Sequence, residues 1–369
     1  MVTSAHASEV QAGAVLEIDL EALAANYEIL KQRAAPAECA AVVKADAYGL
    51  GAERVGPVLA AAGCETFFVA HLSEAIALRR ALGVKASIYV LNGILPGMED
   101  DFTAHDLRPV LNTLEQLDLW PGPAALHLDT GMNRLGLSPE DVAALAAAPE
   151  RLRHVDLRCI ISHLACADQA DHAMNDEQRQ LFDRLRAKLP GKPASLANSS
   201  GIFLGPDYHH DLVRPGVALY GANPTPGAAN PMREVVRLKG RIIQVREIDT
   251  PQSVGYGATH RATGPRRIAT VPVGYADGYL RSLSGQGVGC LAGVSVPIVG
   301  RVSMDLITLD VTEVPGDAVH VGALVELIGG GGPTLDEIAE KAGTIGYEIL
   351  TSLGRRYQRQ YLKAGKQPR

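Results

Sequence analysis

Cys39-Ala-Ala-Val-Val-Lys-Ala-Asp-Ala-Tyr-Gly49 passes from five small or apolar residues straight into a lysine, a carboxylate, a phenol and a glycine. The apolar part is too short for a helix and ends in paired β-branched residues, the texture of a short buried strand. A lysine capping such a strand must either send its ammonium out to water or be held there for chemistry. Asp46, Tyr48 and Gly49 follow at once, so the loop after the strand offers an amine, a phenol and a flexible backbone within a few residues. Functional side chains at the C-terminal ends of strands are the mark of barrels built from alternating strands and helices.

The same alternation continues along the chain. Strand-like runs fall at 39–43, 66–70, 87–91, 108–111, 124–129, 158–163, 194–198 and 212–219. Helical patterns lie among them at 20–34, 53–62, 73–82, 138–147 and 174–188. Eight strands with interleaved helices predict a (β/α)8 barrel, and a doubly wound sheet would not need so regular an eightfold rhythm. After Pro224-Thr-Pro-Gly227 the texture changes. Runs at 235–248, 267–273, 294–299, 305–311 and 324–328, separated by Pro- and Gly-rich turns, predict an antiparallel β-domain. The expected division is a barrel over 1–235 and a β-domain over 236–369. One helix is expected near 334–342, opened by the capping-box pattern Thr334-Leu-Asp-Glu337. Gly329–Gly332 lacks the Lys-Ser/Thr of a phosphate-binding loop and reads as a turn.

Composition narrows the function classes. With 369 residues the chain can bury two cores, and 47% hydrophobic with 21% charged residues is globular. A net charge of −6 argues against a nucleic-acid partner. No apolar run is long enough to span a membrane, and Met1–Gln11 lacks the basic start and apolar core of a signal peptide, so a cytoplasmic location is expected. Five scattered cysteines with no Cys-x-x-Cys pair point to reduced thiols and no metal site. Tyrosine outnumbers phenylalanine eleven to five, an excess of phenols suited to a polar site.

Polar residues gather at the predicted strand ends: Lys44, Arg134, His163, Asn198, Ser199 and Arg214. Each alone has a plain structural reading, as a hydrogen-bonded core histidine, a helix cap or a rim charge. Their convergence at one end of a barrel favours a site. A lysine so placed can bond covalently to an aldehyde cofactor, of which pyridoxal phosphate is the obvious candidate.

The segment around Lys44 resembles the cofactor-lysine segment of bacterial alanine racemases. So do Asp129-Thr-Gly-Met-Asn-Arg-Leu-Gly136, Ser162-His-Leu-Ala-Cys-Ala-Asp168, Ala197-Asn-Ser-Ser-Gly201 and Val213-Arg-Pro-Gly-Val-Ala-Leu-Tyr-Gly221. Val254-Gly-Tyr-Gly-Ala-Thr259, Pro272-Val-Gly-Tyr-Ala-Asp-Gly278 and Gly300-Arg-Val-Ser-Met-Asp305 extend the likeness into the second domain. The resemblance implies pyridoxal phosphate, a head-to-tail homodimer with active sites shared between subunits, and two-base interconversion of L- and D-alanine. That activity would supply D-alanine for peptidoglycan or act in alanine catabolism. It implies Lys44 and Tyr256, the latter from the partner subunit, as the two bases. Tyr48, Ser199, Tyr347 and the amides of Gly216 and Val217 are then phosphate ligands, with His163, Asn198 and Arg214 completing the cofactor site. Arg134 and the Met304 amide would hold the substrate carboxylate. Tyr275, Arg281, Arg301 and Asp305 would line the access path or form a surface ion-pair network. The run Val15-Leu-Glu-Ile18 would be a strand reaching back to the β-domain, as part of residues 12–19.

Two departures stand out. Many members of that family carry a lysine, often carbamylated, where this chain has His127, and Ser303 stands where cysteine is common. Without a carbamate, Arg134 is expected to need another anion, such as chloride. The competing classes are a decarboxylase of the same layout, a racemase of broader range that takes serine, and a non-catalytic cofactor carrier. The carrier lacks a β-domain, so the second domain speaks against it.

Overall fold

The computed structural model describes residues 13–362. The reading of Met1–Gln11 and the first residue of the expected 12–19 strand lie outside them. The chain divides into two compact units, one spanning Leu23–Arg233 and the other taking residues through Ala22 and from Glu234 onward.

The unit Leu23–Arg233 is a parallel barrel. Ala41–Val42, Thr66–Val69, Ser87–Val90, Arg108–Leu111, Pro123–His127, Asp156–Ile161 and Ala194–Ser195 pair in that order as one sheet. The eighth strand, Leu212–Val213, pairs in parallel with Glu38–Cys39, Leu212 opposite Glu38. Its other edge is tied to the seventh, Asp211 N–H to Ala194 C=O at 3.0 Å and Arg214 N–H to Ala197 C=O at 2.9 Å. This is the (β/α)8 architecture that the strand count predicts. The strands read as nearly continuous apolar runs because both their faces are covered. Val43, Phe67, Phe68, Ile88, Val110 and Leu126 are fully buried, each side chain contributing roughly 1.5–3 kcal/mol of transfer free energy.

Several strand ends come earlier than the sequence pattern suggests, and the reason is local. The run 212–219 is a strand only over Leu212–Val213, because Pro215 has no N–H to give a ladder and Val217–Tyr220 winds into a 3-10 turn. The run 194–198 stops at Ser195. Helices Glu99–Ala104, Leu114–Leu119 and Gly201–Leu204 are too short to print a 3.6-residue period and escape the sequence reading.

The second unit is built on a six-stranded sheet. Its order is Val294–Pro297, Val288–Leu291, Leu324–Ile328, Val236–Arg241, Ala14–Asp19, Gln358–Leu362. All neighbours are antiparallel, as expected of this domain, except the last pair, Val15 opposite Gln358, which is parallel. The N-terminal strand is fixed by an ion pair at the sheet, Lys239 Nζ to the buried Glu17 Oε1 at 2.8 Å. Gln244–Ile248, Arg266–Val271 and Ile307–Asp310 form a separate three-stranded antiparallel sheet, so the run 235–248 is two strands rather than one. Thr334 and Glu337 do form a reciprocal capping box over Leu335–Ala342, and a second helix, Gly346–Ser352, follows it.

Candidate active site

Lys44 lies half-buried where the first barrel strand ends. The next four residues do something that L-amino acids rarely do. Ala45, Asp46, Ala47 and Tyr48 have φ of 53°, 55°, 54° and 54°, one turn of left-handed helix closed by Gly49 at 82°. Each such residue costs roughly 1–2 kcal/mol relative to the right-handed form, so the turn persists only because it is anchored. Glu74 Oε1 accepts the Ala45 N–H at 2.6 Å, while its other oxygen accepts the Ala70 and His71 amides at 2.9 and 3.0 Å. Asp46 Oδ1 accepts the Ala52 N–H at 2.8 Å, and Ala47 and Gly49 bond back to Val43 and Ala45. Burial first, and then the Arg134 guanidinium, hold the Lys44 amine below its ordinary range, with Glu74 acting in the opposite sense. Lys44 is therefore deprotonated more readily than a surface lysine.

An anion cradle lies on the same unit. Ser199 Oγ accepts the N–H of Gly216 at 2.9 Å and of Ala218 at 3.3 Å, which leaves its own proton to donate outward. A Cβ on Gly216 would sit 2.2 Å from Tyr48 Oη, so the phenol rests directly on that glycine. Tyr48 in turn packs on Tyr220 with ring centroids 4.7 Å apart. The Ser199 and Tyr48 hydroxyls and the Val217 backbone amide, beside a Gly216 N–H that Ser199 Oγ now accepts, are donors of the kind that could hold a phosphate. Asn198 Oδ1 accepts the Gly201 N–H at 2.9 Å, at the start of Gly201–Leu204.

Arg214 is buried at 4% exposure and has no carboxylate partner among the described residues. Its guanidinium donates to Ser195 Oγ and to the Ser162 carbonyl, and burial pulls it down only to about 10, so it stays charged. His163 Nδ1 lies 3.5 Å from Arg214 Nη2. Burial, and after it the charge on Arg214, hold that imidazole well below its ordinary value and therefore neutral. His127 is fixed from beneath. The Asn112 amide donates to the Leu91 and Val110 carbonyls at 3.0 and 2.9 Å, so its oxygen faces His127 Nδ1 at 2.8 Å and makes that nitrogen the donor. Burial is the main reason that His127 is lowered to about 4.

The shift on His127 has a consequence for stability. Below about pH 6.5 the unfolded chain takes up a proton at this residue that the folded chain refuses until about pH 4. Stability should therefore fall as pH drops through that window and level off beneath it. The contribution is about 2–3 kcal/mol between pH 7 and pH 4.5. His127→Gln should flatten the curve by that amount, read from denaturant midpoints at both pH values. Equal pH slopes for the two proteins would remove His127 from the acid response.

Arg134 is exposed on the loop Asp129–Gly136, close enough for its charge to act on Lys44, His127 and His163. Asp129 shapes that loop, its Oδ1 accepting the Gly131 and Asn133 amides at 2.9 and 3.2 Å. The remaining predicted residues belong to the other unit. Tyr256 stands on a short 3-10 turn and is 73% exposed, with Met304 at 54% and Tyr347 at 39%. Asp305 pairs with Arg356 at 2.7 Å, and Arg356 reaches Asp277 at 3.0 Å, so Asp305 belongs to an ion-pair network. A Cβ on Gly257 would meet the Arg301 guanidinium at 3.4 Å, placing that arginine beside the Tyr256 turn. Glu74, Asn112, Gln178 and Arg356 escaped the sequence reading. Glu74 alone carried a signal, three residues after His71 at a helix start.

Two family models match the chain, alanine racemase N-terminal domain over residues 18–224 and alanine racemase C-terminal domain over 235–361. The chain is 53% identical over 365 residues to the alanine racemase of Rhodospirillum rubrum, covering 96% of this chain and 97% of that one. It is 50% identical over 370 residues to the catabolic alanine racemase of Mesorhizobium japonicum, covering 98% and 96%. Among solved structures, the alanine racemase of Bartonella henselae with covalently bound pyridoxal phosphate superposes with a TM-score of 0.91 at 41% identity, covering 95% of this chain and all of that one.

Proposed function

The chain belongs to the alanine racemase family, and from that premise we propose that it interconverts L- and D-alanine with two opposed bases, Lys44 and Tyr256. Pyridoxal phosphate is the cofactor, and when bound it supplies the electron sink that makes the Cα–H of alanine acidic. The residues present fit it. Lys44 is the covalent tether, its amine already lowered by burial and by Arg134. The Ser199 and Tyr48 hydroxyls, the amides at Gly216 and Val217, and Tyr347 hold its phosphate. Arg214 would serve the cofactor's ring nitrogen, because a guanidinium donates a hydrogen bond without giving up its proton.

Lys44 Nζ would move the proton on the D-face. The phenol of Tyr256 from a second copy moves the proton on the L-face, giving a homodimer with shared sites. Neutral His163, held at Arg214, orders the polar surroundings of that phenol. Arg134 and the Met304 amide bind the alanine carboxylate. The single observation that carries this reading is the half-buried, charge-lowered Lys44 at a strand end, four residues from the phenol packed on Gly216. The reversible reaction serves either D-alanine supply for peptidoglycan or alanine catabolism. Circular dichroism of L- and of D-alanine with purified protein tests the activity, and a rotation that stays constant from either enantiomer rejects it.

The cradle makes its own prediction. Gly216→Ala drives a methyl group into Tyr48 Oη, so retention of pyridoxal phosphate should weaken by about tenfold or more. Equilibrium dialysis of the cofactor measures it, and an unchanged dissociation constant would take Gly216 out of the phosphate site.

A further inference from the structure

We infer that Gln178 is a positioning residue of the racemase site, the buried joint that fixes the Arg134 loop and the His163 loop to each other and to Arg214. The inference rests on the racemase reading above. Gln178 lies on the helix Met174–Arg186 and is 1% exposed. Its Oε1 accepts the Ala165 N–H at 2.8 Å, and its Nε2 donates to the His163 carbonyl at 2.9 Å and to Thr130 Oγ1 at 3.2 Å. Two loops are thereby held by one amide: that after the fifth strand, which carries Arg134, and that after the sixth, which carries His163. A carboxylate could not replace it, since the His163 carbonyl needs a donor.

The network continues inward. The hydroxyls of Thr130 and Ser162 meet at 2.7 Å, both residues buried, and the Ser162 carbonyl takes an N–H of Arg214. Arg214 completes the run on Ser195 Oγ, which donates to the Leu212 carbonyl. Gln178, Thr130, Ser162, Arg214 and Ser195 therefore form one continuous buried polar chain, from the helix beside the barrel to its eighth strand. None of Gln178, Thr130 or Ser162 bears a charge or a nucleophile suited to the reaction. Their effect is to set where a guanidinium and an imidazole stand, and placement errors of an ångström are costly to a reaction that depends on aligned groups.

Two holoenzyme variants separate this from a merely structural role. Gln178→Met keeps length and bulk but cuts every tie, so kcat should fall and KM rise, lowering kcat/KM for L-alanine by about tenfold or more. Thr130→Val frees the Arg134 loop from both Gln178 and the Ser162 hydroxyl but leaves the bonds of Gln178 to the His163 loop and of the Ser162 carbonyl to Arg214, so KM should rise about threefold to tenfold with kcat within about twofold. Melting curves establish that each variant is folded at the assay temperature, and if Gln178→Met is not recovered folded, Thr130→Val decides alone. Values of kcat and KM within about twofold of the parent in every folded variant, or a Thr130→Val variant that loses kcat without raising KM, overturn the inference. A parent protein that does not racemise alanine would strike the underlying reading instead, independently of Gln178.

Discussion

Lys44→Ala should abolish racemisation in both directions, a loss of about 10⁴-fold or more, because the proposed reaction uses this residue both as the covalent tether and as one of two bases. The expectation draws on its setting. The amine is half-buried and lowered by burial and by Arg134, so deprotonating it costs less than at a surface lysine. The anion cradle does not include Lys44, so the variant should still bind pyridoxal phosphate reversibly through Ser199, Tyr48 and Gly216. Borohydride reduction followed by peptide mass mapping checks the covalent part. The parent should gain the reduced cofactor on the Lys44 peptide, and the variant should gain it nowhere. A reducible adduct on another lysine, accompanied by turnover, would move the tether elsewhere.

Tyr256→Phe should lose about 10²–10⁴-fold in turnover in both directions, since each direction needs one proton removed and one returned. Exchange with deuterated solvent resolves the two faces. Loss of the α-hydrogen from L-alanine should stop, while exchange from D-alanine through Lys44 should persist. Undiminished exchange from L-alanine would exclude the phenol. The 73% exposure of Tyr256 within its own chain suits a group that completes a neighbour's site. Mixing Lys44→Ala with Tyr256→Phe should then restore activity, because each mixed dimer holds one intact pair of bases. Random pairing sets the recovery at about a quarter of the parent value. No recovery after proven subunit exchange would put both bases within one chain.

The barrel was legible because its signal is repetition: eight short apolar runs at regular intervals survive errors at any one of their ends. The end at 212–219 was misjudged for a definite reason. Val217, Ala218 and Leu219 are as apolar as a strand, and they are buried, but Pro215 breaks the ladder ahead of them. The strand Gln358–Leu362 was missed because its residues are all half-buried and mostly polar. Lys44, Arg134, His163, Ser199 and Arg214 could be picked out since a charged or polar residue at the end of an apolar run is visible in one dimension. Gln178 could not. It stands among polar residues in Asn175-Asp-Glu-Gln-Arg-Gln180, and only the folded helix distinguishes the two turned inward, Asn175 and Gln178, from their solvated neighbours. Asn112 was hidden in the same way, and with it the tautomer of His127.

The left-handed turn from Ala45 to Tyr48 changes the thermodynamic bookkeeping of ligand capture. Glycine would adopt φ near 54° without steric penalty, yet only Gly49 at the turn's end is glycine. Glycine would also bring back the conformational freedom that alanine lacks. With alanine at 45 and 47, the segment between the tethering amine and the phenol has few alternatives to its observed path once Glu74 and Asp46 have pinned it. The entropy of ordering that stretch is spent when the chain folds, not when the ligand arrives. A ligand gripped at one end by an amine and at the other by a phosphate therefore meets two contacts whose separation is already set, and the second contact forms at little further loss of freedom.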